Sequence, residues 1–165
     1  MKKLLTLCLV TKDEKVLLGI KKRGFGAGHY NGFGGKVEED ETLEEAVVRE
    51  LFEEVSLTAL SLEKVGVLEF SFLEEPDLEL EMHVFKTADF LGIPTESDEM
   101  KPEWFKIRDI PYKQMWTCDT KWFPLFLSGQ KFTGNFHYDR PASAVHTPLI
   151  LQENLTPVAS FLDGV

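Results

Sequence analysis

The chain has 165 residues, 43% of them hydrophobic and 28% charged, with a formal net charge of -10. That length suits one domain with a real core, and the composition is that of a globular rather than a disordered chain. The charge argues against a nucleic-acid polymer as partner, because such binding neutralises many phosphates, but leaves open a small phosphorylated ligand whose metal would reverse the local sign.

Leu4 to Val10 and Val16 to Ile20 read as two strands around the polar turn T-K-D-E. The opening M-K-K-L-L-T-L-C-L-V superficially resembles a secretion signal. Its apolar run is short, however, and T-K-D-E-K stands where a small-residue cleavage site would be. No stretch is long enough to span a membrane. Cys8 and Cys118 are the only cysteines, so free thiols in a reducing compartment are expected. Residues 21 to 36 hold six glycines and form a loop that turns sharply or approaches a ligand closely. A P-loop reading fails, because no G-K-[S/T] follows.

Thr42-Leu43-Glu44-Glu45 is a capping-box signature, and Leu43, Val47, Leu51 and Val55 then repeat every four residues as the buried stripe of a helix. Strands are expected at Val65 to Leu73 and Leu80 to Ala88, linked by E-E-P-D, and at Glu103 to Ile107. Trp116 to Leu127 reads as a loop running into a short aromatic helix, with late strands at Lys131 to Tyr138 and Leu149 to Leu155. No repeat, low-complexity block or linker interrupts 1–165. Strands, a helix and more strands predict an α/β (α+β) fold, a mixed β-sheet sandwich flanked by helices.

The helix poses an electrostatic question. Glu50, Glu53 and Glu54 lie at i, i+3 and i+4 and repel one another. Bulk solvent, Arg49 or a bound cation could offset that repulsion. Magnesium takes oxygen ligands from a few carboxylates and from substrate phosphates, and a Gly34-Gly35 turn could add a carbonyl. The plain alternative is a solvated acidic face with Arg49 as counter-charge.

Spacing separates the two readings. Gly35, five residues, Glu41, seven residues, then Arg49-Glu50-Leu51-x-Glu53-Glu54-x-Ser56-Leu57 resembles the Nudix box. Only Ser56 departs from it, at a position where the box has a Gly ending the helix in the left-handed region. The resemblance implies a loop-helix-loop that holds Mg²⁺, with Mn²⁺ as a substitute, and hydrolyses nucleoside diphosphate derivatives. Glu50, Glu53, Glu54, Glu99 and the Gly35 region are the implied metal ligands, and Arg49 orients the glutamates.

Within the family, the chain is similar to the oxidised purine nucleoside triphosphate hydrolases of animals. The similarity lies in G-F-G-A-G-H-Y-N-G-F-G-G-K-V, H-V-F at 83 to 85, E-S-D-E-M at 96 to 100 and I-P…M-W…D…W-F-P across 110 to 124. It implies cleavage of 8-oxo-dGTP, and of 2-hydroxy-dATP, to the monophosphate and pyrophosphate, by a monomer in the cytoplasm or in mitochondrial or nuclear pools. Trp116, Phe25, Phe70, Phe72 and Met100 are the implied walls of the base pocket, Asn31 and Asp119 its polar groups. Thr6 and Lys21 match residues near the base and phosphates. The family has two adjacent aspartates where this chain has Cys118-Asp119, so Asp119 titrates alone and a narrower or shifted base preference is expected. Residues 139–147 read as an insertion and 159–165 as an extension. Other Nudix substrates (a methylated purine triphosphate, a dinucleoside polyphosphate, ADP-ribose) remain open, as does a non-catalytic nucleotide-binding module.

Overall fold

A computed structural model describes residues 2–24, 26–143 and 145–161. In chain order the strands are β1 (Lys2–Lys12), β2 (Lys15–Lys21), β3 (Tyr30–Asn31), β4 (Thr58–Ala59), β5 (Glu63–Phe72), β6 (Glu79–Thr87), β7 (Phe90–Leu91), β8 (Met100–Lys106), β9 (Lys131–Tyr138) and β10 (Ile150–Val158). Helix α1 (Leu43–Val55) follows β3, and helix α2 (Asp119–Leu127) precedes β9. Among the described residues no helix is long and apolar enough to cross a membrane.

Eight of these strands form one mixed sheet in the order β10-β9-β5-β6-β1-β2-β3, with β8 also paired to β2. Two pairings are parallel: β1 with β6, where Thr6 lies opposite His83, and β5 with β9, where Phe70 lies opposite Phe136. Strand β1 is central and buried on both faces, which explains its unbroken apolar run. Leu7 and Leu9 face a core containing Trp122, Phe123 and Phe126 of α2, whereas Cys8 and Val10 face one containing Val47, Leu51 and Val55 of α1. The expected sandwich is therefore a sheet held between two helices. The pair β4–β7 was not foreseen: two residues per strand carry no alternation to read.

Helix α1 starts as its sequence dictates. The Glu45 N–H donates to Thr42 Oγ1 at 3.1 Å, and the Thr42 N–H donates to Glu45 Oε2 at 2.8 Å, so two donors of the first turn are satisfied reciprocally. The helix ends at Ser56, whose φ of 62° and ψ of 27° are left-handed.

Residues 139–147, read from the sequence as an insertion, lie in the β9–β10 connection. The Asp139 N–H donates to the Leu149 carbonyl at 3.0 Å, and the Leu149 N–H returns to Asp139 Oδ1 at 2.8 Å. Of the 159–165 extension, 159–161 are described and carry neither helix nor strand.

A left-handed non-glycine residue costs on the order of 1 kcal/mol, partly offset by the greater freedom that glycine has in the unfolded chain. Ser56→Gly is therefore expected to stabilise the fold by roughly 0.5 kcal/mol. The check is the urea midpoint; a midpoint that falls would mean that Ser56 is held by contacts stronger than the backbone cost.

Candidate active site

Arg49 binds its acidic neighbours with all three guanidinium nitrogens. Its Nε donates to Glu41 Oε1 at 2.6 Å and its Nη2 to Glu41 Oε2 at 3.0 Å, a two-pronged pair. Nη2 also donates to the Lys36 carbonyl at 3.1 Å. Nη1 donates to Glu50 Oε1 at 2.9 Å and to Glu53 Oε2 at 3.4 Å. The hydrogen bond from Arg49 holds the Glu41 carboxyl down at about 2. One half-buried fork thus answers the electrostatic question for Glu50 and Glu53.

Glu54 has no such partner. It is 5% exposed, and its Oε1 accepts the Gly34 N–H at 2.9 Å. Burial pushes its carboxyl up to about 8, although the Gly34 N–H and the nearby Lys21 ammonium favour the charged form. Burial also raises Glu50, and Glu53 and Glu99 add to that rise. Glu99 is exposed and lies 3.9 Å from Arg23. With Glu50 and Glu53 drawn to Arg49, no three carboxylate, histidine or cysteine side chains converge on one ion-sized point among the described residues. The donor set nevertheless fits a hard divalent cation: four carboxylates, one of them buried against a charge cost that such an ion would offset. The Gly35 carbonyl accepts the Thr6 N–H at 2.9 Å and has a second lone pair.

On the opposite face of the sheet lies an apolar cavity of about 180 Å³. Five of the expected substrate residues line it: Asn31, Phe70, Phe72, Trp116 and Asp119. Asp119 is 3% exposed, and burial raises its carboxyl to about 7. Its Oδ2 accepts the Trp116 N–H at 3.1 Å and its Oδ1 the Trp122 Nε1–H at 3.0 Å. The Cys118 thiol is 3.8 Å from Asp119 Oδ1, and burial keeps it protonated. The Asn31 Oδ1 accepts the Gly32 N–H at 2.8 Å, which leaves its amide hydrogens to donate.

The remaining expectations fall elsewhere. Met100 does not line this cavity. It is 4% exposed in the α1-side core, where a Cβ on Gly19 would collide with its side chain. Its place there holds the neighbouring Glu99 near the acidic helix. Thr6 alternates with Leu5 and Leu7 and belongs to the α1 side of β1, next to Gly34 and Gly35. Its Oγ1 is buried with no hydrogen-bond partner among the described residues. Lys21 runs under the glycine-rich loop, within 3.9 Å of the Cβ positions of Gly24 and Gly26. Phe25 lies outside the described residues. The cavity also uses residues the sequence reading passed over: Leu5, Leu80, Met82, Tyr138, Ala142 and Pro148. For Leu80 and Met82 the signal was present, since they alternate on β6 and pair with Phe70 and Leu68 of β5.

Known proteins resemble this chain in sequence and in fold. Residues 1–126 match the family model described as the NUDIX domain. The chain is 52% identical over 136 residues to the oxidized purine nucleoside triphosphate hydrolase of Danio rerio, a match covering 82% of this chain and 86% of that protein. It is 49% identical, with the same coverage, to the protein of that name from Mus musculus. Among solved structures, the mutator MutT protein of Bacillus halodurans superposes with a TM-score of 0.79 at 29% identity, over 93% of this chain and 97% of that one.

The raised Glu54 carboxyl has a consequence for stability. The folded state keeps this proton from the ordinary value of 4.5 up to about 8, whereas the unfolded chain releases it. Folding therefore loses stability as pH rises through that window, by a few kcal/mol once pH exceeds about 8. Glu54→Gln removes the titration. In chelator, its urea midpoint is expected to exceed that of the wild type at about pH 9 and to approach it near pH 5. A difference independent of pH would show that Glu54 ionises in the folded protein without cost.

Proposed function

This chain belongs to the Nudix family of hydrolases, and on that premise we propose that it cleaves oxidised purine nucleoside triphosphates to the monophosphate and pyrophosphate. The observation that carries the proposal is the apolar cavity on the face of the sheet opposite the acidic helix, with Asn31 and Asp119 as its polar groups and Trp116 and Phe70 among its walls. A purine needs flat apolar walls and a few edge-on hydrogen-bond partners. The names of the relatives from zebrafish and mouse support the same reading.

Nudix hydrolases use divalent metal ions; we assign magnesium here, with manganese as a substitute. When bound, such a cation would supply charge neutralisation at the phosphate oxygens and a more acidic water. Glu50, Glu53, Glu54 and Glu99, with the Gly35 carbonyl, would hold it. Arg49 touches two of these carboxylates and positions them. The free Oε2 of Glu54 is the atom best suited to accept a proton from water, because Oε1 is occupied by the Gly34 N–H. Lys21 and Thr6, beside the acidic residues, serve the phosphate end.

At the base end Asn31 donates. Asp119, raised to about 7, donates when protonated and accepts when ionised. It can therefore read either an oxo or an amino edge according to pH. The monomer acts alone on a small-molecule substrate.

The direct test is pyrophosphate release from 8-oxo-dGTP, dGTP and 2-hydroxy-dATP, with Mg²⁺ and with chelator. Metal-dependent preference for an oxidised purine is expected. Hydrolysis without that preference would retain the acidic-helix chemistry and remove the cavity assignment; no hydrolysis of any of them would overturn the proposal. Glu54→Gln is expected to lower kcat by about 10²–10⁴.

Cys118 generates a second prediction. With one carboxyl in the cavity, kcat/KM for 8-oxo-dGTP is expected to follow a single titration near 7 at the base end. Cys118→Asp adds a coupled neighbour and splits that step in two. The pH–rate profiles of the two proteins on 8-oxo-dGTP and 2-hydroxy-dATP decide it, and identical profiles would remove Cys118 from specificity.

A further inference from the structure

The β9–β10 loop, residues 139–149, contributes Ala142 and Pro148 to the base cavity. Beyond them lies a second, outer cavity of about 500 Å³. Trp116, Ala142 and Pro148 line both, so these three residues form the neck between them. The aromatic side of the neck is fixed: the His29 ring stacks on Trp116 with centroids 4.7 Å apart and planes within 9°. The outer cavity is bordered by Gly24 and Gly26, the same residues that lie against the Lys21 chain. On the nucleotide reading, with the base in the inner cavity and the phosphates toward Lys21, the outer cavity is the adjoining space beyond this neck.

The loop side of the neck is fixed too. Asp139 holds the loop on both sides of Pro148: Oδ1 accepts the Leu149 N–H at 2.8 Å, and Oδ2 lies 3.0 Å from His146 Nε2. Pro148 is buried and Ala142 half-buried, whereas Val145 at the loop tip is 96% exposed. Among the described residues of the loop, Ala142 and Pro148 line the inner cavity. They carry no side-chain hydrogen-bonding group, so whatever they select, they select by shape.

We propose that the 139–149 loop is a specificity element, in which Ala142 and Pro148 set the width of the neck against Trp116 and Asp139 is the positioning residue that holds them there. The inference rests on the nucleotide reading above. It divides recognition into two independent parts: Asn31 and Asp119 read hydrogen-bonding edges, and the loop rejects ligands whose outline does not fit.

The test is calorimetric binding of 8-oxo-dGMP and dGMP, which needs neither metal nor turnover. Ala142→Leu adds bulk in the neck and is expected to weaken 8-oxo-dGMP by about tenfold. Asp139→Ala frees the loop without filling the neck. It is expected to weaken 8-oxo-dGMP by about threefold and to bring its affinity closer to that of dGMP. Urea midpoints show that each variant is folded, and if Ala142→Leu is not, Asp139→Ala decides. Wild-type protein that binds neither monophosphate would overturn the nucleotide reading, and the loop inference with it. Wild-type binding with both variants within about twofold of it would overturn the loop inference alone.

Discussion

The site depends on how closely residues 33–37 approach strand β1. The Cys8 N–H donates to the Phe33 carbonyl at 2.6 Å, the Phe33 N–H to the Cys8 carbonyl at 3.0 Å, the Thr6 N–H to Gly35 and the Val37 N–H to Leu4. At this separation a side chain on residue 34 would overlap the Thr6 carbonyl, and a Cβ on residue 35 would stand 2.5 Å from Glu50 Oε1. Glycine at both positions lets a backbone segment lie between a strand and a row of carboxylates. This segment follows Asn31, which lines the base cavity, and contains Gly34, whose N–H meets Glu54. One seam therefore sets the distance between the two halves of the site.

The acidic helix shows how a fold tolerates charge that it would otherwise avoid. Arg49 spans Glu41, Glu50 and Glu53, and its rigid fork matches carboxylate geometry. Glu54 is beyond its reach and is buried instead, with one backbone donor and a raised proton affinity. Asp119 repeats the pattern on the other face, with two donors and a carboxyl near 7. Buried acids of this kind reduce stability near neutral pH, and natural proteins accept such local inconsistency where chemistry requires it.

Most of the fold was legible because its signals are local. The capping box, the four-residue stripe of α1 and the apolar run of β1 each follow from one short stretch and reappear in the structure. Ser56 was legible too, since only a left-handed helix end explains why glycine is expected there. What could not be read locally was which face a side chain occupies after folding. Met100 sits between a cavity residue's neighbourhood and the acidic helix in sequence terms, and the β2–β8 register turns it into the α1-side core. Leu80 and Met82 had the alternation of a strand, but their partners across β5 decide whether that face is core or cavity. The contribution of Ala142 and Pro148 depends on where a hairpin loop folds back, which no periodicity encodes.

The departures from the family pattern fall on different physical terms, and that separation has a consequence. Ser56 lies at a helix end and bears on backbone energy. Cys118 and the 139–149 loop lie at the base cavity, one removing a titratable neighbour from Asp119, the other adding an apolar wall. None touches Arg49 or the four glutamates. On the proposed reading, the charged groups at the phosphate end are kept while polarity and shape change at the base end. The two changes also reinforce each other. A lone carboxyl offers fewer hydrogen-bonding patterns than a pair sharing a proton, so discrimination shifts toward shape, which is what the loop supplies.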